Sequence, residues 1–168
     1  EERGMRFCRY ADDIVISVRS ERAAQRVMES SRRYLENTLK LKVNQDKSKV
    51  AKATEIKFLG FTILDYINRK GQRTVGIMIH PKSIKRFREK VKTYLKKNSN
   101  WTVEQCMAVL TPYVRGWLSY FSIADTKWQI ESLAKWARRK LRAKMWWQKK
   151  KSRARYKWLS TLSSNRKA

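Results

Sequence analysis

Hydrophobic positions along the 168 residues follow two different periods, and the change comes near His80-Pro81. Before it, β-forming residues come in short runs bounded by turn residues. Phe7 to Tyr10 and Ile14 to Val18 flank Ala11-Asp12-Asp13, a pattern that reads as a tight hairpin with two acids at its tip. Ser20 suits an N-cap, and Ala24, Val27, Met28, Ser31, Leu35 and Leu39 then recur at helical spacing. Arg22, Arg26, Glu29, Arg33 and Glu36 fall on the other side, so this helix is expected to cover one face of the hairpin sheet. Leu41-Lys42-Val43 reads as a short extended piece and Asn44 to Ser48 as a polar loop. Ile56 to Leu64 reads as the next strand, with Gly60 marking a bulge or a close approach of another backbone. A turn at Asn68-Arg69-Lys70-Gly71 then sends the chain back through Val75 to Ile79.

From Pro81 onward the spacing is that of helices. Pro81 fits a first helical position, and Ile84, Phe87, Val91 and Leu95 form one stripe with Tyr94 beside it, ended by Asn98-Ser99-Asn100. Thr102-Val103-Glu104-Gln105 matches a capping box and opens a second stripe: Val103, Cys106, Met107, Leu110, Val114, Trp117, Leu118 and Phe121. Pro112 falls inside it, which predicts a kink or two short helices. After a turn at Ala124-Asp125, a third helix carries Ile130, Leu133, Ala134, Ala137, Leu141 and Met145 inward, leaving Lys135, Arg138, Arg139, Arg142 and Lys149 outside. Three amphipathic stripes on short loops predict a small helical bundle. The fold class is α+β: antiparallel hairpins with a packed helix over residues 1–80, a helical domain over 81–148, and a basic tail over 149–168. Tyr156, Trp158 and Leu159 are that tail's only expected anchors.

Charge sharpens this division. The chain holds 41 Lys/Arg against 14 Asp/Glu, a net +27. Residues 1–80 hold 17 basic against 10 acidic residues (+7); residues 81–168 hold 24 against 4 (+20), together with all seven Trp. Such an excess is self-repulsive and points to a polyanionic partner, nucleic acid above all. With 42% hydrophobic residues the chain is not a disordered basic tail. Cys8 and Cys106 stand far apart without a CxxC pair, so neither a disulfide framework nor a zinc site is indicated, and a reducing compartment fits. His80, the one histidine, reads as structural. No signal peptide or membrane-spanning run is seen, and the opening Glu-Glu reads as the middle of something longer.

The candidate chemistry lies in Asp12-Asp13. Adjacent carboxylates repel, and keeping both ionised favours a bound cation. Hard oxygen donors suit Mg²⁺, commonly held by one or two carboxylates plus substrate phosphates, as in two-metal phosphoryl transfer. Aspartate is also frequent in turns because its side chain bonds its own backbone, and the tetrapeptide alone does not choose between these readings.

The order of the motifs carries more. Phe7-Cys8-Arg9-Tyr10-Ala11-Asp12-Asp13 resembles the catalytic hairpin of reverse transcriptases, in the YADD form of group II intron-encoded enzymes. Leu41 to Ser48 resembles the palm segment that follows, and Phe58-Leu59-Gly60-Phe61 is similar to the strand that grips the primer. Downstream, Arg115-Gly116-Trp117-Leu118-Ser119-Tyr120-Phe121 resembles the signature of the intron maturase domain, or thumb, and Leu133 to Trp147 continues it. The resemblance implies the end of a polymerase palm followed by a maturase thumb.

It also implies roles. Asp12 is the principal Mg²⁺ ligand and Asp13 its assistant; Lys47 faces the phosphates of the incoming dNTP. Tyr10 and Ala11 border the primer end, Tyr10 being equally readable as a buried sheet tyrosine. Phe58, Leu59, Gly60 and Phe61 meet the primer, Gly60 by close backbone contact. In the thumb, Arg115, Arg138, Arg139, Arg142 and Lys144 are candidate phosphate contacts. Trp117 and Phe121 read as core; Trp136, Trp146 and Trp147 could stack on unpaired bases. The implied partners are group II intron RNA, a template–primer duplex and dNTPs, in a bacterial cytoplasm or an organelle, with a homodimer left open. The separate strand that carries the family's third metal-binding Asp, and a Cys- and His-rich endonuclease segment, are not seen. This piece is therefore expected not to polymerise alone. The competing readings are an RNA-binding splicing factor without polymerase activity and a reverse transcriptase of another system, such as bacterial defence.

Overall fold

The computed structural model describes residues 5–68, 70–96 and 100–164, the last four by backbone alone. The chain forms two compact units, Glu1–Gly76 and Ile77–Ala168, so the division falls within a strand slightly before Pro81.

In the first unit, β1 (Arg6–Tyr10) and β2 (Asp13–Ser17) form an antiparallel ribbon. Its register runs from Arg6 opposite Ser17 to Tyr10 opposite Asp13, leaving Ala11 and Asp12 as a two-residue loop. Helix α1 (Glu21–Arg33) starts where expected, the Ser20 hydroxyl accepting from the Ala23 N–H at 3.2 Å. Ala24, Val27, Met28, Ser31 and Leu35 make its half-buried stripe, while Leu39 is exposed. On its solvent side Arg33 pairs with Glu29 and Arg32 with Glu36, one turn apart in each case. The helix widens to a π-helical turn over Tyr34–Thr38 and stops at Lys40, whose φ of +54° lets the Leu41 N–H reach back to the Leu35 carbonyl.

One expected strand is shorter than its hydrophobic run. Instead of extending from Ile56, the chain reverses at Phe58-Leu59-Gly60-Phe61, and β3 begins only at Phe61 (Phe61–Ile67). Phe58 and Phe61 exchange both backbone hydrogen bonds, at 3.0 and 2.8 Å. Leu59 and Gly60 take φ of +49° and +84°, the two left-handed positions of a type I′ turn. A glycine at the second central position closes that turn, and this local preference defeats the strand suggested by the apolar residues. Thr62, buried on β3, donates to the Thr54 carbonyl and ties the strand to the 3₁₀ turn Ala53–Glu55.

Strand β4 (Arg73–Ile79) pairs with β3 as a second hairpin. Asn68 organises the turn: its Oδ1 accepts from the N–H groups of Lys70 and Gln72, and Gly71 takes φ +75°. Arg69 lies outside the described residues.

The second unit begins with the end of β4 and continues as α2 (Pro81–Tyr94), α3 (Val103–Phe121) and α4 (Lys127–Gln148), each packed on the other two. Phe87, Val91, Leu110 and Leu133 form its buried centre, where Phe87 stacks on Tyr113 and meets Trp117 at a tilt, and Trp117 meets Phe121. The stripes predicted for all three helices are the ones that pack, with Met107 the exposed exception. His80 caps α2, its Nδ1 accepting from the Lys82 N–H, and the Thr102–Gln105 capping box opens α3 with both hydrogen bonds made. The buried Cys106 thiol donates to the Tyr94 carbonyl, and Cys8 is exposed.

Of the kink or two short helices expected at Pro112, the division does not occur: α3 runs through it as one helix. Residues after Lys149 form a further helix, α5 (Ser152–Ser164), in which Trp158 is half-buried but Tyr156 and Leu159 are exposed. Helix α2 ends at Tyr94; Asn98 and Ser99 lie outside the described residues.

Candidate metal and nucleic-acid site

Strand pairing fixes the acids. Tyr10 and Asp13 form the last pair of the ribbon, and Asp12 occupies the second loop position beside Ala11. Ala11 takes φ +53°, a left-handed conformation that costs a residue with a Cβ about 1 kcal/mol. The Arg9 guanidinium donates to the Ala11 carbonyl at 3.0 Å and braces that conformation. Both carboxylates are exposed, and among the described residues none of the ion pairs engages them. Tyr10 is 62% exposed and so is not a buried sheet tyrosine.

Consecutive, solvent-facing carboxylates fit the hard-oxygen preference of Mg²⁺ and leave room for water and phosphate in its shell. Among the described residues no cluster of three acidic, histidine or cysteine side chains forms around them. Two adjacent carboxylates are therefore the only hard donors that the hairpin tip brings together among the described residues.

The other palm candidates sit on separate elements. Lys47 is exposed in a loop closed by Asn44, whose Oδ1 accepts from the Lys47 N–H and whose carbonyl accepts from Ser48. Leu41 to Val43 joins no strand. Phe58, Leu59, Gly60 and Phe61 are half-buried in their type I′ turn, so the strained backbone of Leu59-Gly60 forms the tip in place of a bulge inside a strand.

In the helical unit Arg115 on α3 and Arg138, Arg139 and Arg142 on α4 are exposed, Arg138 and Arg142 one turn apart on the same face. Lys144 is different. It is 3% exposed, and its Nζ donates at 3.2 Å to the carbonyl of Lys96, just past the end of α2. An ammonium at a helix C-terminus satisfies carbonyls that lack intrahelical donors, so Lys144 fastens α4 to α2, buried where the four arginines are exposed.

The tryptophans divide in the same way. Trp117 and Trp136 pack against the core, with the Arg88 guanidinium 5.7 Å from the Trp136 ring centroid. Arg155 covers Trp146 at 4.9 Å. Trp147 is 48% exposed, and Trp128, in the first turn of α4, is 63% exposed. Trp128 escaped the sequence reading, although its signal was there: a large aromatic out of phase with Ile130, Leu133 and Leu141.

Within this unit, the end of β4 is held by two side chains. Asp125 accepts from the Ile77 N–H at 2.7 Å and its own N–H donates to the Ile77 carbonyl. The buried Gln129 accepts from Ile79 N–H and donates to the Ile79 carbonyl, while also accepting from the Thr126 hydroxyl.

Among the described residues no helix is long and apolar enough to cross a membrane. Comparison with known proteins agrees with the geometry in each unit. Residues 1–63 match the family model "Reverse transcriptase (RNA-dependent DNA polymerase)", and residues 84–162 match "Group II intron, maturase-specific domain". The chain is also 34% identical over 83 residues to Protein YkfC of Escherichia coli (strain K12), an alignment covering 48% of this chain and 22% of that protein. The chain spans less than a quarter of that relative's length. With reverse-transcriptase residues around the Asp12-Asp13 hairpin and maturase-specific residues across the helical unit, this chain belongs to the group II intron reverse transcriptase–maturase family.

Proposed function

We propose that this chain binds group II intron RNA through its helical unit, assists the folding and splicing of that RNA, and contributes Asp12 and Asp13 to a site that copies RNA into DNA. The observation that carries the reading is the pairing of two exposed carboxylates, fixed by strand register at a hairpin tip, with a unit of +20 formal charge. Asp12 serves as principal Mg²⁺ ligand and Asp13 assists. The bound ion supplies charge neutralisation at the attacking and leaving oxygens of nucleotidyl transfer. The small side chain of Ala11 leaves space for a template–primer duplex, and Tyr10 lies against the primer end. Lys47 offers its ammonium to the phosphates of a dNTP, and Phe58, Leu59, Gly60 and Phe61 contact the primer. Arg115, Arg138, Arg139 and Arg142 bind phosphates, where the guanidinium fork matches the anion better than a point charge.

Two measurements test it. Mn²⁺, used as a paramagnetic stand-in for Mg²⁺, should broaden the amide signals of Ala11 to Ile14, and Asp12→Asn with Asp13→Asn should abolish the effect. Unchanged broadening in that double variant rejects the metal role. Affinity for a group II intron RNA should exceed that for an unrelated RNA of equal length and fall steeply as salt rises, since each neutralised phosphate releases counterion. A flat salt dependence rejects the binding role. Primer, RNA template, dNTPs and Mg²⁺ should give no cDNA with this chain alone, because two carboxylates make only part of a two-metal site; robust extension refutes that assignment.

A further inference from the structure

Two cavities of the helical unit meet at one residue. The first, of about 460 Å³, lies between the starts of α2 and α4 and is lined by Lys85, Arg88, Lys92 and Trp128 among others. The second, of about 250 Å³, lies between the ends of the same helices, with Lys92, Lys96, Lys140 and Trp147 in its wall. Lys92 belongs to both, so the two lie next to one another along the α2–α4 contact. The pairing of early with early and late with late residues also shows that α2 and α4 run in the same direction.

The groove has a consistent chemistry. Along α2, Lys85, Arg88 and Lys92 follow at three- and four-residue steps, a cationic edge on one face of the helix, and Lys96 follows just past its end. Glu89 is the one carboxylate among the residues that line either cavity. At each end stands an indole with open surface, Trp128 at 63% and Trp147 at 48% exposure. Nineteen helical residues separate them, about 28 Å along α4. Between the two ends, Arg88 is held over the Trp136 ring at 5.7 Å, so its guanidinium is already positioned at the groove.

We infer that the α2–α4 groove is a track for single-stranded RNA, in which unpaired bases stack on Trp128 and Trp147 while the backbone follows the α2 cations. This rests on the reading of the helical unit as an RNA binder and names the form of RNA it holds there. Aromatic platforms joined to a positive groove are what unpaired nucleotides require, because every base has a face to stack and every linkage a charge to neutralise. In a duplex the bases are already paired and stacked on one another, so they offer no free face to an indole.

The test uses the full chain, a fluorescein-labelled oligouridylate without secondary structure, and an RNA duplex of the same length. Trp128→Ala and Trp147→Ala should each weaken oligouridylate binding about tenfold, with Trp128→Phe restoring most of the loss, while duplex affinity changes less than about twofold. Replacing Lys85, Arg88 and Lys92 together by Gln should lower the slope of log affinity against log salt by about 2 for the single strand. Trp128 is too exposed for its truncation to unfold the unit, and 4-thiouridine crosslinking to wild type should mark the peptides carrying Trp128 and Trp147. Wild-type affinity for oligouridylate in the Trp variants, or an equal loss on duplex, overturns the groove assignment. If those variants fail in this way but intron RNA still binds with a steep salt dependence, only the groove falls. If wild type binds no RNA, the functional reading falls with it.

Discussion

At the scale of single residues, identity predicts chemistry well and surroundings poorly. Lys144 and Arg142 are both cations in one helix, yet one is buried against the Lys96 carbonyl and the other faces water. Spacing alone could have hinted at this: Lys144 falls three residues after Leu141, close to the inward stripe. Lys144→Met should keep the packing volume but leave the end of α2 without its donor, destabilising the helical unit by about 1–3 kcal/mol in chemical denaturation. If Lys144 instead served phosphates, the variant would lose RNA affinity with stability unchanged. Gly116 poses the converse case. It sits inside α3 with nothing within 4 Å of where a Cβ would point, so folding gains nothing from its being glycine. Gly116→Ala should therefore stabilise the unit by roughly 0.5–1 kcal/mol, read as a raised denaturation midpoint. A drop in stability would mean that the position is sterically constrained.

At the scale of elements, caps and stripes were legible because their causes are local. Ser20, His80-Pro81, Thr102 to Gln105 and the turn at Asn68 all act within a few residues, and the structure uses each. Phe58 to Phe61 was misread because two local rules compete there, and a glycine at a φ of +84° favoured the turn over the strand. Of the two outcomes read for Pro112, a kink or two short helices, the second does not occur: packing of α3 on two neighbours keeps one helix across the missing N–H. The second hairpin carries a pH-dependent clasp. Arg73 on β4 forks onto the Asp65 carboxylate on β3, and this hydrogen bonding holds the Asp65 carboxyl below its ordinary value. A depressed folded value means that the contribution is present above the unfolded value of about 3.9 and fades as pH falls through the folded one. An NMR titration should show the Arg73 Nε–H signal shifting only at pH below about 4, and Asp65→Asn should remove that step. The same step in the variant would assign it to another group.

At the scale of the molecule, the two units are unequally built. Among the described residues every buried hydrophobic side chain belongs to Ile77 or later, while Phe7, Ile14, Tyr34, Leu41 and Tyr66 in the first unit stand exposed. A unit that buries so little apolar surface has little to offset chain entropy. Amide exchange should consequently be slowest in α2, α3 and α4 near Phe87, Val91, Leu110 and Leu133, and orders of magnitude faster in β1 and β2. Equal protection in both units would contradict this account. What the amino-acid order determined by itself was everything set by neighbours in sequence: the tipped hairpin with its acids, the helix starts, the three stripes and the surplus of positive charge. What only the tertiary structure decided was which side chains of one type meet water and which meet a partner, because that depends on residues far apart in the chain. Lys144 is spent on the end of another helix and Trp136 on the core. Trp128 and Trp147 keep exposed surface beside the cations of α2, an association that requires two helices to lie side by side.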